Sequence, residues 1–111
     1  VLKVANFWSA VLGRPLDGTS SSVWASIGGT DAARAEPAWY FNLVSEPKAA
    51  KNRVHLDLTA TDADAVGWLV ELGATLVAEH ELDNADHRWT VMSDPEGNEF
   101  CVADKSFTGW T

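Results

Sequence analysis

The sequence predicts an α+β domain made of two βαβββ modules, the first of which lacks its opening strand. One observation is a repeat, because the pattern Trp-x-x-x-Leu-Gly at residues 8–13 recurs 60 residues later at residues 68–73. A second is that the strand pattern of Trp39–Val44, shifted by the same distance, falls on Glu99–Asp104. The third is the matched order of a helix followed by strands in each half. We therefore divide the single domain 1–111 into module one, 1–50, and module two, 51–111.

Two segments have the apolar spacing of amphipathic helices, Leu2–Leu12 and Asp62–Leu72. Each is followed by a glycine, Gly13 or Gly73, at the position where a helix commonly ends in the left-handed conformation. Thr61 or Asp62 is the expected N-cap of the second helix. The predicted apolar stripes are Val4, Trp8, Val11 and Leu12 on the first helix and Val66, Leu69 and Val70 on the second.

Alternation of apolar and polar residues predicts the strands. In Val54–Thr59, Val54, Leu56 and Leu58 are expected to face the helices, and His55, Asp57 and Thr59 the opposite side. The segment Asp94–Asn98 concentrates turn-forming residues and joins the last two strands. The other predicted strands are Ser22–Ile27, Trp39–Val44, Thr75–Leu82, Trp89–Ser93 and Glu99–Ala103.

The opening strand of module one has no counterpart in the printed sequence. Val54–Thr59 opens module two, and a shift back by 60 residues places its equivalent upstream of Val1. We expect this strand to belong to a segment before Val1. A chain that begins with Val rather than Met is typical of a trimmed or partly disordered N-terminus.

Composition narrows the class of protein. The 111 residues carry a net charge of −8, which argues against nucleic-acid binding and against binding to anionic membranes. The single Cys101 excludes an internal disulfide and fits a reducing compartment. No apolar run approaches the roughly 18 residues of a membrane span, and no signal peptide is evident. We expect a soluble cytoplasmic protein.

The segment Asn52–Asp57 (NRVHLD), the turn Asp94–Asn98 and the two modules resemble the vicinal oxygen chelate superfamily. This superfamily includes glyoxalases, bleomycin-resistance proteins and extradiol dioxygenases, and the chain looks most like its small bacterial glyoxalase-like domains. The resemblance implies a pair of curved sheets that surround a cavity, with the helices on the outside. It also implies a small-molecule ligand and frequent dimerisation.

Metal-using members of the superfamily bind a divalent ion with one residue from the first and one from the last strand of each module. His55 occupies a matching first-strand position. Cys101 stands where the resemblance implies a Glu, its counterpart in module one is Asn42 or Phe41, and the fourth position lies upstream of Val1. Since Mg²⁺, Mn²⁺ and Fe²⁺ prefer carboxylate and imidazole ligands, we expect no metal centre of the usual kind, and no other cofactor is identified.

The candidate site follows from the strand faces together with the resemblance. Three roles are open for His55: a hydrogen-bonded partner of Asp57 or a Tyr, a group that orients a ligand, or a general base and thus a catalytic residue. Cys101 is either a small buried residue or, with Arg53 or His55 beside it, a reactive thiolate. We expect one ligand pocket lined by Trp24, Tyr40, Asn42, His55, Asp57, Trp89 and Cys101.

Several residues outside this pocket carry expectations of their own. Asp94 and Asn98 should brace the turn, Glu99 should face solvent, and His80 and His87 should lie on the surface without a role. Trp8 and Trp68 should both pack beneath their helices. An exposed sheet edge and the apolar tail residues Phe107 and Trp110 favour a homodimer.

Three functions are compatible with this pattern. The first is a metal-independent glyoxalase-like protein that binds a small organic molecule in an apolar cup, and that isomerises, cleaves or only holds it. The second is a metal-dependent lyase or dioxygenase. The third is a sequestering protein of the bleomycin-resistance type, which carries out no chemistry.

Overall fold

The computed structural model describes residues 1–30, 36–60, 63–82 and 87–103, and their fold is α+β. The chain divides into two compact units, Val1–Pro47 and Lys48–Thr111, so the division lies three residues before the one expected after residue 50. The elements are α1 (Leu2–Leu12), β1 (Trp24–Ile27), β2 (Trp39–Asn42), β3 (Leu56–Thr59), α2 (Ala65–Leu72), β4 (Thr75–Leu82), β5 (His87–Ser93) and β6 (Glu99–Ala103).

The first unit packs α1 against a two-stranded antiparallel sheet. Helix α1 ends as predicted at Gly13, whose φ of 66° is the left-handed conformation that a glycine adopts without steric cost. The indole of Trp8 is 3% exposed, and its ring centroid lies 5.4 Å from that of Trp39 on β2. The planes of the two rings are inclined by 37°, and their contact places the core of the unit between the helix and the sheet.

The third strand expected in module one is reduced to a single bridge between Leu16 and Ile27. Pro15 cannot donate a backbone hydrogen bond, and the chain turns immediately afterwards. The carboxylate of Asp17 fixes this turn by accepting hydrogen bonds from the Ser26 hydroxyl and from the Gly29 N–H, the latter at 2.7 Å. The Ser26 hydrogen bond is the main reason that the pKa of Asp17 lies below its ordinary value.

The second unit contains a four-stranded mixed sheet in the order β3-β6-β5-β4. Strand β3 runs parallel to β6, and the other pairs are antiparallel. The turn before β6 is braced as predicted, because the buried Asp94 carboxylate accepts hydrogen bonds from the backbone N–H groups of Glu96 and Asn98, both at 2.9 Å. Within the described residues, neither this sheet nor the first closes on itself.

The largest buried side chains of the second unit lie on one face of this sheet. Met92 and Phe100 are register partners and are fully buried, and Val102 is nearly so. We predicted that Val54 and Leu56, in the opening strand of module two, face the helices. This prediction is wrong, because Val54 is 84% exposed and Leu56 is also exposed. Strand β3 begins at Leu56, so Val54 precedes the hydrogen-bonded ladder and is not held against the core.

Some other predicted packing is also incorrect. Trp68 is 45% exposed, so it does not repeat the packing of Trp8. Strand β2 ends at Asn42 rather than at the predicted Val44, and Leu43 beyond it is exposed. Helix α2 begins at Ala65 with Asp64 as its N-cap, whereas Thr61 and Asp62 lie outside the described residues. The tail residues Phe107 and Trp110 also lie outside them. None of the described helices is long and apolar enough to cross a membrane.

Candidate functional site

His55, Asp57 and Cys101 converge on one face of the second sheet. One ligand-type atom of each residue, an imidazole nitrogen, a carboxylate oxygen and the sulfur, lies within 4.8 Å of the other two. The shortest contact joins His55 Nε2 to Asp57 Oδ1 at 3.1 Å. Of the seven predicted pocket residues, these three are brought together within a single unit.

Strand geometry explains this convergence. His55 immediately precedes β3 and lies two positions before Asp57, so both side chains point to the same face. The parallel register of β3 and β6 then pairs Asp57 with Cys101. The opposite face carries the next register pair, Leu58 and Val102.

The three side chains differ in exposure. The His55 and Asp57 side chains are 47% and 38% exposed, whereas Cys101 is only 7% exposed. A molecule that approaches from solvent therefore meets the imidazole and the carboxylate first, with the thiol behind them. One of the three roles predicted for His55 was that of a hydrogen-bonded partner of Asp57. The structure contains this contact, although the His55 side chain is not buried.

The structure does not support a reactive thiolate. Burial raises the pKa of the Cys101 thiol above its ordinary value of 9.0, and the negative charge of Asp57 raises it further. The cation that lowers this pKa is Lys51 rather than Arg53, and it lowers the pKa by less than burial raises it. Cys101 is therefore a protonated thiol at neutral pH.

Glu99 belongs to a cluster that sequence reasoning missed. Its side chain is 14% exposed rather than turned to solvent, and its carboxylate lies 2.6 Å from the Lys51 ammonium and 3.4 Å from that of Lys48. The backbone N–H of Asn52 donates to it at 3.1 Å. The Lys51 hydrogen bond is the largest reason that the pKa of Glu99 falls to about 2. The alternation of β6 puts Glu99 on the same face as Cys101.

An aromatic pair lies further along this face. Val91 is the register partner of Cys101, and Trp89 follows on the same side of β5. Trp89 is half-buried and stacks on His80 of β4, with ring centroids 5.2 Å apart and planes inclined by 19°. His80 is exposed as predicted. It was expected to have no role, but its ring packs on Trp89, one of the predicted pocket residues.

The other predicted pocket residues lie in the first unit. Trp24 is the register partner of Asn42, and its ring centroid lies 6.1 Å from that of Tyr40. These three residues share the face of the β1–β2 sheet opposite Trp39 and Phe41. That they line one cavity together with His55 stays a prediction.

The donor atoms do not fit the metal centre that the superfamily resemblance implies. Such a centre takes imidazole and carboxylate ligands, as Mg²⁺, Mn²⁺ and Fe²⁺ require. The present group contains a thiol at the position of the expected carboxylate, and burial together with the charge of Asp57 keeps that thiol protonated. We therefore derive no chemistry through a metal of that kind.

Comparisons with known proteins give a family and a set of similar folds. The family model described as a glyoxalase-like domain matches residues 1–103. No curated protein matches the chain.

Among solved structures, a glyoxalase/bleomycin resistance protein/dioxygenase family enzyme from Burkholderia phytofirmans PsJN superposes with a TM-score of 0.58 at 20% identity, over 94% of this chain and 89% of that chain. A glyoxalase-related enzyme from Fulvimarina pelagi gives a TM-score of 0.63 at 13% identity, over 94% and 79% of the two chains. A member of the glyoxalase/bleomycin resistance protein/dioxygenase superfamily from Sphaerobacter thermophilus DSM 20745 gives 0.57 at 19%, over 93% and 86%.

Proposed function

Since the chain belongs to the glyoxalase-like domain family, within the vicinal oxygen chelate superfamily, we propose that it binds a small organic molecule beside His55, Asp57 and Cys101. The observation that carries this proposal is the convergence of the three polar side chains within 4.8 Å on one sheet face. Two of the three are half-exposed and accessible to a ligand.

The polar end of the proposed site suits an oxygen-bearing ligand. Asp57 engages Nε2 of His55, which leaves Nδ1 to donate or accept a hydrogen bond. The carboxylate also restricts the rotation of the ring, and an oriented imidazole binds a carbonyl or hydroxyl group with less loss of conformational entropy. His55 is therefore the residue on which we expect ligand affinity to depend most.

The rest of the face suits the apolar part of the same ligand. Val91 adjoins Cys101, and the half-buried ring of Trp89 offers a flat surface on which an aromatic or extended apolar group can stack. An oxygenated organic molecule with an apolar portion matches both ends.

The chemistry that fits such a site is proton transfer. A histidine that a carboxylate orients can remove a proton from a carbon next to a carbonyl group, the step that begins many isomerase and lyase reactions. Cys101 is not the nucleophile here, because its thiol retains its proton. Binding without turnover, as in a sequestering protein, is the outcome if no substrate is consumed.

A ligand screen tests the proposal. Hydroxy- and oxo-carbonyl compounds with apolar substituents are screened by ligand-observed NMR, and turnover is assayed with methylglyoxal and a thiol. We expect His55→Ala and Asp57→Asn to weaken binding of any hit by about 10-fold or more, the value of one lost charge-assisted hydrogen bond. The control is Glu79→Gln, which removes an exposed carboxylate of β4 on the opposite face of the same sheet. Hits that bind both site variants as tightly as the wild type would overturn the proposal.

A further inference from the structure

Basic residues are concentrated in the segment that leads into β3. Lys48, Lys51 and Arg53 are three of the eight basic residues of the chain, and no acidic residue lies in the same stretch. Lys51 and Arg53 are exposed. With Asp57 and Glu99 counted against the three basic residues, this group carries a net charge of +1, whereas the whole chain carries −8. A local excess of positive charge in an acidic protein favours the binding of an anion there.

The strand register places the Lys51 ammonium beside His55. Lys51 Nζ lies 2.6 Å from the Glu99 carboxylate. Glu99 and His55 each directly precede the first register pair of β6 and β3, so they lie at the same level of two neighbouring parallel strands. Such strands are about 4.8 Å apart. The Lys51 charge is also close enough to Cys101 to lower the pKa of that thiol, so the ammonium borders the proposed site.

The contacts of Glu99 leave Lys51 able to bind a second anion. The Glu99 side chain is 14% exposed and is also contacted by the Lys48 ammonium at 3.4 Å, so one carboxylate lies between two cations. An ammonium group has three N–H donors, and Lys51 gives one of them to Glu99. The Lys51 side chain is 79% exposed, so its other donors are accessible from solvent.

We infer that the ligand is a 2-hydroxy or 2-oxo carboxylic acid, whose carboxylate binds the Lys51 ammonium and whose adjacent oxygen binds His55. The inference rests on the proposed function and names the class of its ligand. The adjacent groups of such an acid match the adjacent positions of the two side chains. A ligand with one negative charge fits better than a phosphate dianion, because the Asp57 and Glu99 carboxylates repel a second charge.

Two matched pairs of compounds test the inference, mandelate with mandelamide and benzoylformate with benzoylformamide. Each amide keeps the phenyl ring and the hydroxyl or oxo group of its acid and lacks the negative charge. In ligand-observed NMR titrations of the whole chain, we expect each acid to bind about 5-fold more tightly than its amide, the upper range for an exposed ion pair. The difference should shrink as NaCl rises from about 20 mM to about 500 mM, because salt screens exposed charges.

Three variants identify the cation. Lys51→Met removes the charge and keeps the length of the side chain, so it should bring each acid to within about 2-fold of its amide. Lys51→Arg keeps the charge and should retain the preference for the acid. Arg88→Gln is the matched control, because it removes a positive charge of β5 from the face opposite Trp89, and it should bind all four compounds as the wild type does.

The wild-type comparison of acid with amide needs no variant, so a substitution that fails to fold leaves the test intact. Amides that bind as tightly as their acids, or a preference for the acids that persists in Lys51→Met, would overturn the inference. Failure of both acids to bind would overturn it as well. The proposed function is judged separately, by whether any compound of the ligand screen depends on His55, so the two failures are distinguishable.

Discussion

The Lys51 ammonium lies 2.6 Å from the Glu99 carboxylate and joins the segment before β3 to the first residue of β6. Asn52 strengthens the same link through its backbone N–H, 3.1 Å from Glu99. These bonds stabilise the ionised carboxylate, which is why the pKa of Glu99 falls from 4.5 to about 2. The link holds the chain that carries His55 beside the strand that carries Cys101.

We predict that Glu99 makes stability depend on pH in the acid range. Between its ordinary pKa of 4.5 and its folded pKa of about 2, the unfolded chain binds a proton that the folded chain does not. The free energy of unfolding should therefore fall as the pH drops through this window. Glu99→Gln should flatten the dependence, as measured by urea unfolding from pH 6 to pH 2. The exposed Glu96→Gln serves as the control, and an unchanged slope in Glu99→Gln would contradict the prediction.

Two glycines should respond to alanine in opposite directions. Gly97 has a φ of 84°, and a Cβ there would lie 3.1 Å from Lys48 Cδ, so Gly97→Ala should destabilise the fold by about 1–2 kcal/mol. Gly67 lies within α2, and a Cβ there meets nothing within 4 Å. Gly67→Ala should stabilise the fold by about 0.5–1 kcal/mol through helix propensity. Denaturant midpoints of the two variants compare them directly.

The two tryptophans of the repeat should differ in their contribution to stability. Trp8 is buried against Trp39, so Trp8→Ala should cost about 3–5 kcal/mol. Trp68 is half-exposed, and Trp68→Ala should cost about 1 kcal/mol or less. Thermal unfolding followed by circular dichroism measures both. Equal losses would mean that Trp68 is covered in solution.

Cys101 should be slow to react in the folded protein. Burial and the charge of Asp57 keep the thiol protonated at neutral pH, and only the thiolate attacks a disulfide reagent. We expect the rate with an aromatic disulfide reagent at pH 7 to be at least about 10-fold lower than in urea-unfolded chain. Asp57→Asn should raise the native rate, because it removes a negative charge beside the sulfur. A native rate equal to that of the unfolded chain would contradict this assignment.

The homodimer stays a prediction that solution measurements decide. Among the described residues, strand β3 ends the order of the second sheet, and an open strand edge tends to be covered by another chain. The exposed apolar residues Val54, Trp68 and Val70 lie in the same unit. Light scattering at micromolar concentration should give twice the chain mass, and a monomer mass would show the prediction to be wrong.

The helix ends, the turn before β6 and the strand faces could be predicted from residues that are neighbours in the sequence. Gly13 and Gly73 end the two helices because a glycine adopts positive φ freely, and Asp94 braces its turn through hydrogen bonds to nearby N–H groups. Strand alternation was enough to put His55, Asp57 and Cys101 on the strand faces opposite the expected core. The burial of residues at equivalent positions of the two modules could not be predicted in this way. Trp68 occupies the position of Trp8 in the repeat, but Trp8 is buried and Trp68 is exposed.

The order of helices, strands and turns follows from the amino-acid sequence, because these elements depend on backbone sterics and on residues a few positions apart. Which distant side chains meet depends on the packing of the strands. The register of β3 on β6 pairs Asp57 with Cys101, and Glu99 finds Lys51 across 48 positions of chain. Such pairings depend on how distant strands align to bury their apolar faces, and no local pattern records that alignment.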